Sequence, residues 1–445
     1  MSRLRSAFFI TFYMNINKLY SYYKLCSAIS IDSRIINKNE MFFALKGDNF
    51  DGNQYALQAL EKGCKYAVVD DENLKNNKNC LLVDNVEATL QELAKHHRKT
   101  LNIPTIAITG SNGKTTTKEL TAAVLSKQYK TWFTKGNLNN HIGVPLTLLS
   151  MPDNTEIAII EMGANHIGEI DFLCNIALPD FGIITNVGKA HLEGFGTFEN
   201  IMKTKAELYR FIEKFGKFSF FNSDNNYLKN MLKKGQFVSY GTDRNDFVFG
   251  RNIIAKPFLE FEWSKKENPK WNKVKTQLTG AYNFENAMAA VCIGTYFNVT
   301  SEKIKNALSE YIPQNNRSQL IYSAKNKILL DAYNANPASM KVAIDNFNEI
   351  EGKNKVLIIG EMKELGKESR KEHELLLELI NAINFDKCFL IGKEFQSLTF
   401  EYPKYIWFET IIQLSDHLKK NLLSEKFIFI KGSRGNQLEK ILKEI

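Results

Sequence analysis

The sequence is poor in several features that mark whole classes of protein. Only six of its 445 residues are cysteine, and none of them forms a C-x-x-C pair. A cysteine-based zinc site and a disulfide framework are therefore not expected, and a reducing cytoplasm fits this cysteine usage. Because no stretch approaches the ~20 consecutive apolar residues of a membrane span, we expect no transmembrane helix.

Positive charge is present in excess but is not concentrated. The formal net charge is +9, and no basic block alternates with aromatic residues as a nucleic-acid groove would require. We therefore expect no nucleic-acid partner and interpret most of the charge as a solvated surface. A mild attraction for phosphate-bearing substrates is compatible with this balance. Internal repeats and low-complexity tracts are also missing.

The first residues lack the parts of a complete signal peptide. Basic residues precede a short apolar run from Ala7 to Met14, but no small-residue cleavage site follows. We predict that Met14 is the true start and that residues 1–13 are an upstream extension.

Three regions differ in their pattern, as a length of roughly 150 residues per domain suggests. Residues 14–100 hold short strands and turns and end in a helix-like stretch at 88–100, with Pro104 beyond it. Residues 101–313 contain nearly continuous apolar runs at 105–109, 156–163 and 181–188, separated by helical stretches. Residues 314–445 alternate strand-like runs with helix-like stretches at 372–383 and 410–422.

These patterns predict an α/β protein of three domains. Apolar runs of this kind are typical of parallel strands buried on both faces. The expected architecture is a small mixed α/β N-terminal domain, a central P-loop-type, mostly parallel sheet, and a C-terminal Rossmann-like domain.

The stretch "IAITGSNGKTT" (106–116) resembles a phosphate-binding loop that lacks its first glycine, because Ile108 stands in that position. A strand, a glycine-rich turn and a helix follow one another here, which directs main-chain N–H groups toward an anion. An ordinary βα turn with a surface lysine is the alternative. We predict nucleotide contacts from the whole loop, namely Gly110, Ser111, Asn112, Gly113, Lys114, Thr115 and Thr116.

Two further strand ends carry polar side chains. Glu161 ends the second central run, and His191 follows the third. Ligands of open α/β sheets bind at the carboxyl ends of strands, so Glu161 is a candidate Mg²⁺ ligand beside the loop. A solvent-facing carboxylate and a satisfied loop histidine are the alternatives. Lys205 lies on a helix among charged neighbours, and the pattern alone indicates a solvated surface lysine.

Three polar clusters remain, and turn chemistry is an alternative to binding for each of them. Arg317 is the exception, because it is either an unpaired surface arginine or a cation for phosphate. The loop before a central helix carries Asn137, Asn139, Asn140 and His141, which suggests recognition of polar substrate groups. The third region carries Arg317, Asp331, Tyr333, Asn334 and Asn336. The N-terminal region carries Ser33, Arg34, Lys46 and Asp51.

Taken together, these stretches resemble the Mur ligases, the ATP-dependent amide-forming enzymes of peptidoglycan assembly. The motifs "TGSNGKTT", "EMGANHIGEI", "ITNVGKAHLEGFG", "GAYNFENAMAA", "DAYNANPASM" and "GEMKELG" match that family in order. More narrowly, "NLNNHIGVPLTLL" and "DAYNANPASM" resemble the members that join D-Ala-D-Ala to UDP-N-acetylmuramoyl-tripeptide. The resemblance covers roughly residues 15–445.

The resemblance implies a role for each candidate. Lys205 would be a carbamylated lysine that helps to place Mg²⁺, which reverses its pattern-based interpretation. Glu161, His191 and Thr115 would be its fellow magnesium ligands. Asn283 and Asn286 would lie on the adenosine side, and ATP would be reached by Arg317, Asp331 and Tyr333. The precursor would contact Ser33, Arg34, Lys46 and Asp51, and further substrate contacts would come from Asn137, Asn139, Asn140, His141, Asn334 and Asn336.

By the same resemblance, the enzyme is expected to be an ADP-forming cytoplasmic monomer. Lys114, Lys205, His191, Glu161 and Arg317 would support catalysis. Two alternatives stay open. The first is another ATP-dependent amino-acid ligase, either of another Mur type or of the folylpolyglutamate type, which shares the shortened loop but lacks a UDP-binding first domain. The second is a nucleotide-binding scaffold, which would bind ATP without turnover.

Overall fold

The chain is described by a computed structural model over residues 14–190, 192–232, 235–267, 269–383 and 385–445. The expected extension at 1–13 and His191 lie outside these ranges. Contacts divide the described residues into two units. The first comprises residues up to 103 together with 137–155 and 172–178, and the second comprises the rest.

Short strands alternate with helices from the first described residues onward. Residues 14–104 contain α1 (Ile16–Tyr23), β1 (Ile29–Ser30), β2 (Met41–Phe43), β3 (Lys46–Gly47), β4 (Phe50–Asp51), α2 (Ala56–Glu61), β5 (Tyr66–Val69), β6 (Cys80–Leu82) and α3 (Val86–Leu101). Residues 105–232 contain β7 (Thr105–Thr109), α4 (Lys114–Leu125), β8 (Thr131–Phe133), α5 (Gly143–Leu149), β9 (Ile157–Glu161), α6 (Glu169–Ala177), β10 (Phe181–Ile184), α7 (Leu192–Phe195), α8 (Phe198–Phe215), β11 (Phe218–Asn222) and α9 (Asn226–Met231).

The same alternation continues toward the carboxyl terminus. Residues 235–313 contain β12 (Phe237–Gly241), β13 (Val248–Ala255), β14 (Phe258–Lys265), β15 (Asn272–Thr279), α10 (Asn283–Tyr296) and α11 (Ser301–Glu310). Residues 314–445 contain β16 (Gln319–Tyr322), β17 (Lys327–Asp331), α12 (Pro337–Glu349), β18 (Lys355–Gly360), α13 (Ser369–Ala382), β19 (Lys387–Ile391), β20 (Ile406–Phe408), α14 (Ile411–Lys420) and β21 (Phe427–Lys431).

The first unit is built on a parallel sheet in the order β1-β2-β5-β6, with β3 and β4 forming a separate antiparallel pair. Helix α3 begins where Asn85 accepts a hydrogen bond from the main-chain N–H of Ala88. It ends at Leu101, because Asn102 adopts a left-handed conformation and Pro104 follows. Helix α5 packs against α3 within this unit.

The second unit contains two sheets. The nine-stranded sheet has the order β15-β14-β13-β12-β11-β10-β7-β9-β8, and it is parallel from β8 to β13 with antiparallel β14 and β15 at one edge. Successive residues of a strand face opposite sides. Ile183 of β10 accordingly joins the core formed with α4 and α10, whereas Gly182 lets Leu208 and Ile212 of α8 approach the other face.

The six-stranded sheet has the order β16-β17-β21-β18-β19-β20 and is parallel except for β16. Leu357 and Ile359 of β18 join a core with α12 and α13, while Ile358 joins one with α14. Because helices cover both faces, this part is doubly wound, as the alternating pattern predicts. The sequence pattern does not single out the short edge strands β8, β16 and β20.

Candidate active site

The shortened loop lies between β7 and α4, at the carboxyl end of β7, which is paired with β10 and β9 in the nine-stranded sheet. Gly110 and Gly113 both have positive φ angles, of 149° and 77°. A Cβ atom at Gly113 would collide with the side-chain oxygen of Asn286, and one at Gly110 would collide with Thr185. The two glycines are therefore needed for close packing as well as for their backbone conformation.

The two residues that directly follow β10 are hydrogen-bonded to the loop. The main-chain N–H of Asn112 donates to Asn186 Oδ1 at 2.9 Å, and Thr185 Oγ1 donates to the carbonyl of Asn112 at 2.6 Å. Lys114 folds back over the loop and donates from Nζ to the carbonyl of Gly110 at 2.7 Å. Burial lowers the pKa of Lys114, against the opposing effect of the nearby Glu161 carboxylate.

Glu161 ends β9, next to β7 in the sheet, and its side chain is buried. Thr115 Oγ1 donates to Glu161 Oε1 at 3.2 Å, and Lys118 Nζ lies 3.4 Å from Glu161 Oε2. The main-chain N–H of Glu161 donates to Thr134 Oγ1 at 3.0 Å. The solvent-facing alternative for Glu161 is thus wrong.

Lys205 lies on α8 with only 2% of its side chain exposed, so the pattern-based interpretation as a surface lysine is wrong. Its Nζ lies 5.7 Å from the centre of the Phe195 ring. Burial, and secondly the charge of Lys114, lowers the pKa of Lys205 to about 7. An amine with this pKa is partly neutral near neutral pH, and the neutral fraction is nucleophilic.

Glu207 is a buried carboxylate two residues after Lys205 on the same helix. Glu207 accepts main-chain hydrogen bonds from Gly168 at 2.8 Å and from Asp171 at 2.9 Å. It therefore fixes the start of α6 relative to α8. Sequence reasoning missed both Glu207 and Lys118, and the position of Lys118 one helical turn after Lys114 is the signal that could have found it.

Two of the third-region candidates lie by the loop. Asn336 caps α12 and donates from Nδ2 to Asn112 Oδ1 at 2.8 Å. The Arg317 guanidinium lies 3.6 Å from the centre of the Tyr333 ring, and its charge contributes to the lowered pKa of Lys114.

The other candidates of this region have local partners. Asp331 Oδ2 accepts from Lys431 Nζ at 2.5 Å, and Asp331 Oδ1 accepts from the main-chain N–H of Ser318 at 3.2 Å. Lys431 also donates to the carbonyl of Asn334 at 3.2 Å. This network fixes the end of β17, and the expected ATP contacts of Asp331 and Tyr333 stay predictions.

Asn283 and Asn286 form an internal ladder on α10. Asn283 Nδ2 donates to the carbonyl of Thr279 at 2.8 Å, and Asn286 Nδ2 donates to Asn283 Oδ1 at 2.9 Å. Thr117 of α4 donates to Asn286 Oδ1 at 3.1 Å. These hydrogen bonds connect α10 to α4, the helix that follows the loop. The predicted adenosine contacts of Asn283 and Asn286 stay predictions.

The candidates of the first unit are held in local pairs. Lys46 pairs with Asp70 at 2.8 Å, Arg34 with Asp32 at 2.7 Å, and the Ser33 carbonyl accepts from Lys62. Asp51 accepts from both nitrogens of Asn53.

The asparagine loop belongs to the same unit. Asn140 Oδ1 accepts from the main-chain N–H of Gly143 at 2.8 Å, so turn chemistry at the start of α5 accounts for that residue. Asn137 accepts at its carbonyl from the main-chain N–H of Asn139, and His141 Nε2 lies 3.9 Å from Glu87. Substrate recognition by this loop stays a prediction.

The described residues contain no group of three His, Cys, Asp or Glu side chains arranged to hold a metal ion. Within the same ranges, no helix is both long and apolar enough to cross a membrane.

Known families match almost the whole chain. Residues 26–104 match the model of the Mur ligase family catalytic domain, residues 108–294 the Mur ligase middle domain, and residues 316–434 the Mur ligase glutamate ligase domain. The chain belongs to the Mur ligase family, and its three-domain α/β fold is the one that the sequence predicts.

Relatives that match over most of their length indicate which type of Mur ligase this chain is most similar to. The UDP-N-acetylmuramoyl-tripeptide--D-alanyl-D-alanine ligase of Bacillus subtilis (strain 168) is 36% identical over 429 residues, covering 94% of this chain and 92% of the relative. The crystal structure of MurF from Acinetobacter baumannii has a TM-score of 0.85 at 28% identity and covers 97% and 98% of the two chains. MurF of Thermotoga maritima in complex with ADP has a TM-score of 0.81 at 26% identity, covering 94% and 97%.

Proposed function

We propose that this chain is an ADP-forming ligase that joins D-Ala-D-Ala to the terminal carboxylate of UDP-N-acetylmuramoyl-tripeptide. This is the last peptide-adding step of peptidoglycan precursor synthesis, and the enzyme acts as a cytoplasmic monomer. The observation that carries the proposal is that the second unit contains the shortened loop together with two buried charged side chains, Glu161 and Lys205. The first unit favours this function over a folylpolyglutamate ligase, because its residues 26–104 match a Mur ligase model.

The chemistry proceeds in two displacements. An oxygen of the tripeptide carboxylate attacks the γ-phosphorus of ATP, the bond from that phosphorus to the bridging oxygen breaks, and ADP leaves with the electron pair. The dipeptide amine then attacks the carbon of the resulting acyl phosphate. Phosphate leaves, the nitrogen loses a proton, and the amide is formed. No side-chain nucleophile is needed, so the chain contributes positioning and charge neutralisation.

Lys114 lies on the loop, and the positive charge of Arg317 acts on Lys114. We assign to Lys114 the neutralisation of charge on the transferred phosphoryl group, which requires that its Nζ exchange the loop carbonyls for phosphate oxygens. Arg317, whose guanidinium lies 3.6 Å from the centre of the Tyr333 ring, supplies a second positive charge, which acts on Lys114.

The side chains at the loop suit Mg²⁺. Octahedral Mg²⁺ binds oxygen at 2.0–2.1 Å, which puts neighbouring ligands about 3 Å apart. Thr115 Oγ1 and Glu161 Oε1 are separated by 3.2 Å, so one ion fits both. With few protein carboxylates at hand, phosphate oxygens and water complete such a site. When bound, the ion neutralises charge on the phosphates.

Lys205 suits carbamylation, because its pKa near 7 leaves much of the amine neutral and able to attack CO₂. The modification would turn a buried cation into an oxygen-bearing anion. We propose that this anion and His191 hold a second magnesium ion.

Phosphate release by the purified protein tests the function. Release is expected only when ATP, UDP-N-acetylmuramoyl-tripeptide and D-Ala-D-Ala are all present. Full release in the absence of either peptide substrate would refute the assignment. Glutamate offered in place of the dipeptide, with a folate acceptor, tests the folylpolyglutamate alternative, and turnover in that assay would favour it. Binding of ATP with no turnover under any of these conditions would indicate a scaffold.

A further inference from the structure

Lys118 is a buried lysine to which the mechanism above gives no role. It lies on α4, one helical turn beyond Lys114, and 1% of its side chain is exposed. Its Nζ lies 3.4 Å from Glu161 Oε2, while the other carboxylate oxygen, Oε1, accepts from Thr115. The two oxygens of Glu161 therefore have different partners. One faces the ammonium group, and the other faces the loop.

A buried ion pair of this kind matters most when one partner is lost. Removing an ion from water is costly, and a carboxylate left alone in the interior is strongly destabilised. Lys118 supplies positive charge to Glu161 whether or not a metal ion is bound. Replacing Lys118 by an uncharged residue would remove the ammonium group at Glu161 Oε2 and so strengthen the attraction of Glu161 for a divalent cation.

Other cations surround this pair. The charge of Lys118 contributes to a lowered pKa of Lys135, so the two ammonium groups lie close enough to repel each other. Lys114 interacts with Glu161 from the loop, and Arg317 interacts with Lys114. A free divalent cation is therefore expected to bind Glu161 weakly, because Lys118 already neutralises this carboxylate and the surrounding lysine and arginine side chains repel the cation. A magnesium–nucleotide complex has net negative charge, and the same field attracts it.

We propose that Lys118 is the internal counter-ion of Glu161 and makes binding of a divalent cation at this carboxylate depend on a bound nucleotide. The proposal deepens the proposed function and rests on it, because it takes Glu161 as a magnesium ligand. Lys118 is a positioning residue. It acts through Glu161, whose Oε2 it holds while Oε1 is left to the metal ion.

The test is equilibrium binding of Mn²⁺, which shares the oxygen ligands of Mg²⁺ and is visible by electron paramagnetic resonance. It uses the full-length protein without nucleotide. Lys118→Met is expected to bind Mn²⁺ at least tenfold more tightly than the unaltered protein. Lys118→Arg keeps the charge and is expected to bind as weakly as the unaltered protein. ADP is expected to reduce the difference between the Met variant and the unaltered protein.

Two controls separate the charge effect from general damage. Lys127→Met removes a lysine from a solvent-accessible pair with Glu310 and is expected to leave Mn²⁺ binding unchanged. The double variant Lys118→Met/Glu161→Gln is expected to lose the gain, because the attracting carboxylate is gone. If circular dichroism shows that Lys118→Met is unfolded, Lys118→Gln replaces it with the same expectation.

Equal Mn²⁺ affinity in the unaltered protein and the uncharged variant would overturn the proposal, and so would a gain that persists without Glu161. These outcomes are independent of the proposed function. If phosphate release needs both peptide substrates but the uncharged Lys118 variant binds Mn²⁺ no more tightly than the unaltered protein, the counter-ion role of Lys118 is refuted and the proposed function is not. A tenfold gain in a protein that releases no phosphate refutes the ligase assignment alone.

Discussion

At the scale of single residues, burial changes what a side chain is able to do. A lysine on a helix rich in charged residues is normally solvated, yet the side chain of Lys205 on α8 is buried. Lys203, two residues earlier, is exposed and keeps ordinary surface surroundings. The difference is the orientation of the two side chains on one helix, which the tertiary structure decides.

Lys205→Ala is predicted to lower kcat by about 10²-fold or more, because a charge-bearing group would be missing from the site. Short carboxylic acids added to the assay are expected to restore part of the activity by taking the place of the proposed carbamate. Lys203→Ala is the matched control and is expected to be as active as the unaltered enzyme. Unchanged kcat in Lys205→Ala would remove this residue from the site.

Gly113→Ala is predicted to abolish ATP binding. Its φ of 77° costs an alanine about 1–2 kcal/mol, and the new methyl group would also strike Asn286. Gly63→Ala is the control, since Gly63 has a φ of 112° but its nearest neighbours would stand 3.6 Å or more from a new methyl group. Isothermal titration with ATP checks both variants, and tight binding by Gly113→Ala would contradict the packing argument.

At the scale of elements, the starts of two helices meet. The loop before α4 and the cap of α12 are joined by the hydrogen bond from Asn336 to Asn112. Asn336 also forms a capping box with Ser339, so one side chain stabilises α12 and contacts the loop before α4.

Asn336→Ala and Ser339→Ala are predicted to lower stability by similar amounts, about 1 kcal/mol, because both remove part of the same cap. Only Asn336→Ala breaks the bond to Asn112, so only this variant is expected to raise the KM for ATP several-fold. Thermal unfolding and steady-state kinetics check the two effects. An equal KM in the two variants would show that the bond has no influence on the loop.

At the scale of the whole molecule, the second unit joins the loop to the elements that follow residue 314. Besides the Asn336 contact, Lys189 lies 3.4 Å from Glu372, and the main-chain N–H of Glu193 donates to the carbonyl of Glu364 at 3.2 Å. The proposed mechanism passes through an acyl phosphate, which would have to be kept from water until the amine arrives, and we expect these contacts to contribute to that.

Hydroxylamine is predicted to trap that intermediate. With ATP and UDP-N-acetylmuramoyl-tripeptide but no dipeptide, we expect a hydroxamate of the tripeptide, detected by mass spectrometry. Addition of D-Ala-D-Ala is expected to compete with its formation, because both amines attack the same acyl carbon. Hydroxamate formed equally well without ATP would exclude an acyl phosphate made by this enzyme.

The sequence alone predicted the α/β class, because the period of its apolar residues separates buried parallel strands from helices. It also predicted the loop, since Gly110, Gly113 and Lys114 are adjacent in the chain. Short edge strands such as β16 and β20 carry too few residues to establish a period. The expected domain boundaries stay predictions, and so do the substrate contacts of the first unit.

The sequence by itself thus determined the longer strands and helices and the order of the motifs, because those depend on neighbours within one strand or helix. Only the tertiary structure decided the surroundings of Glu161, Lys118 and Lys205. These residues come from β9, α4 and α8, and their burial and charge depend on how the sheet brings those elements together. Burial lowers the pKa of Lys205, and that burial has no signature in the local sequence. The spacing of Lys118 from Lys114 is visible in the sequence, but its pairing with Glu161 of another element is not.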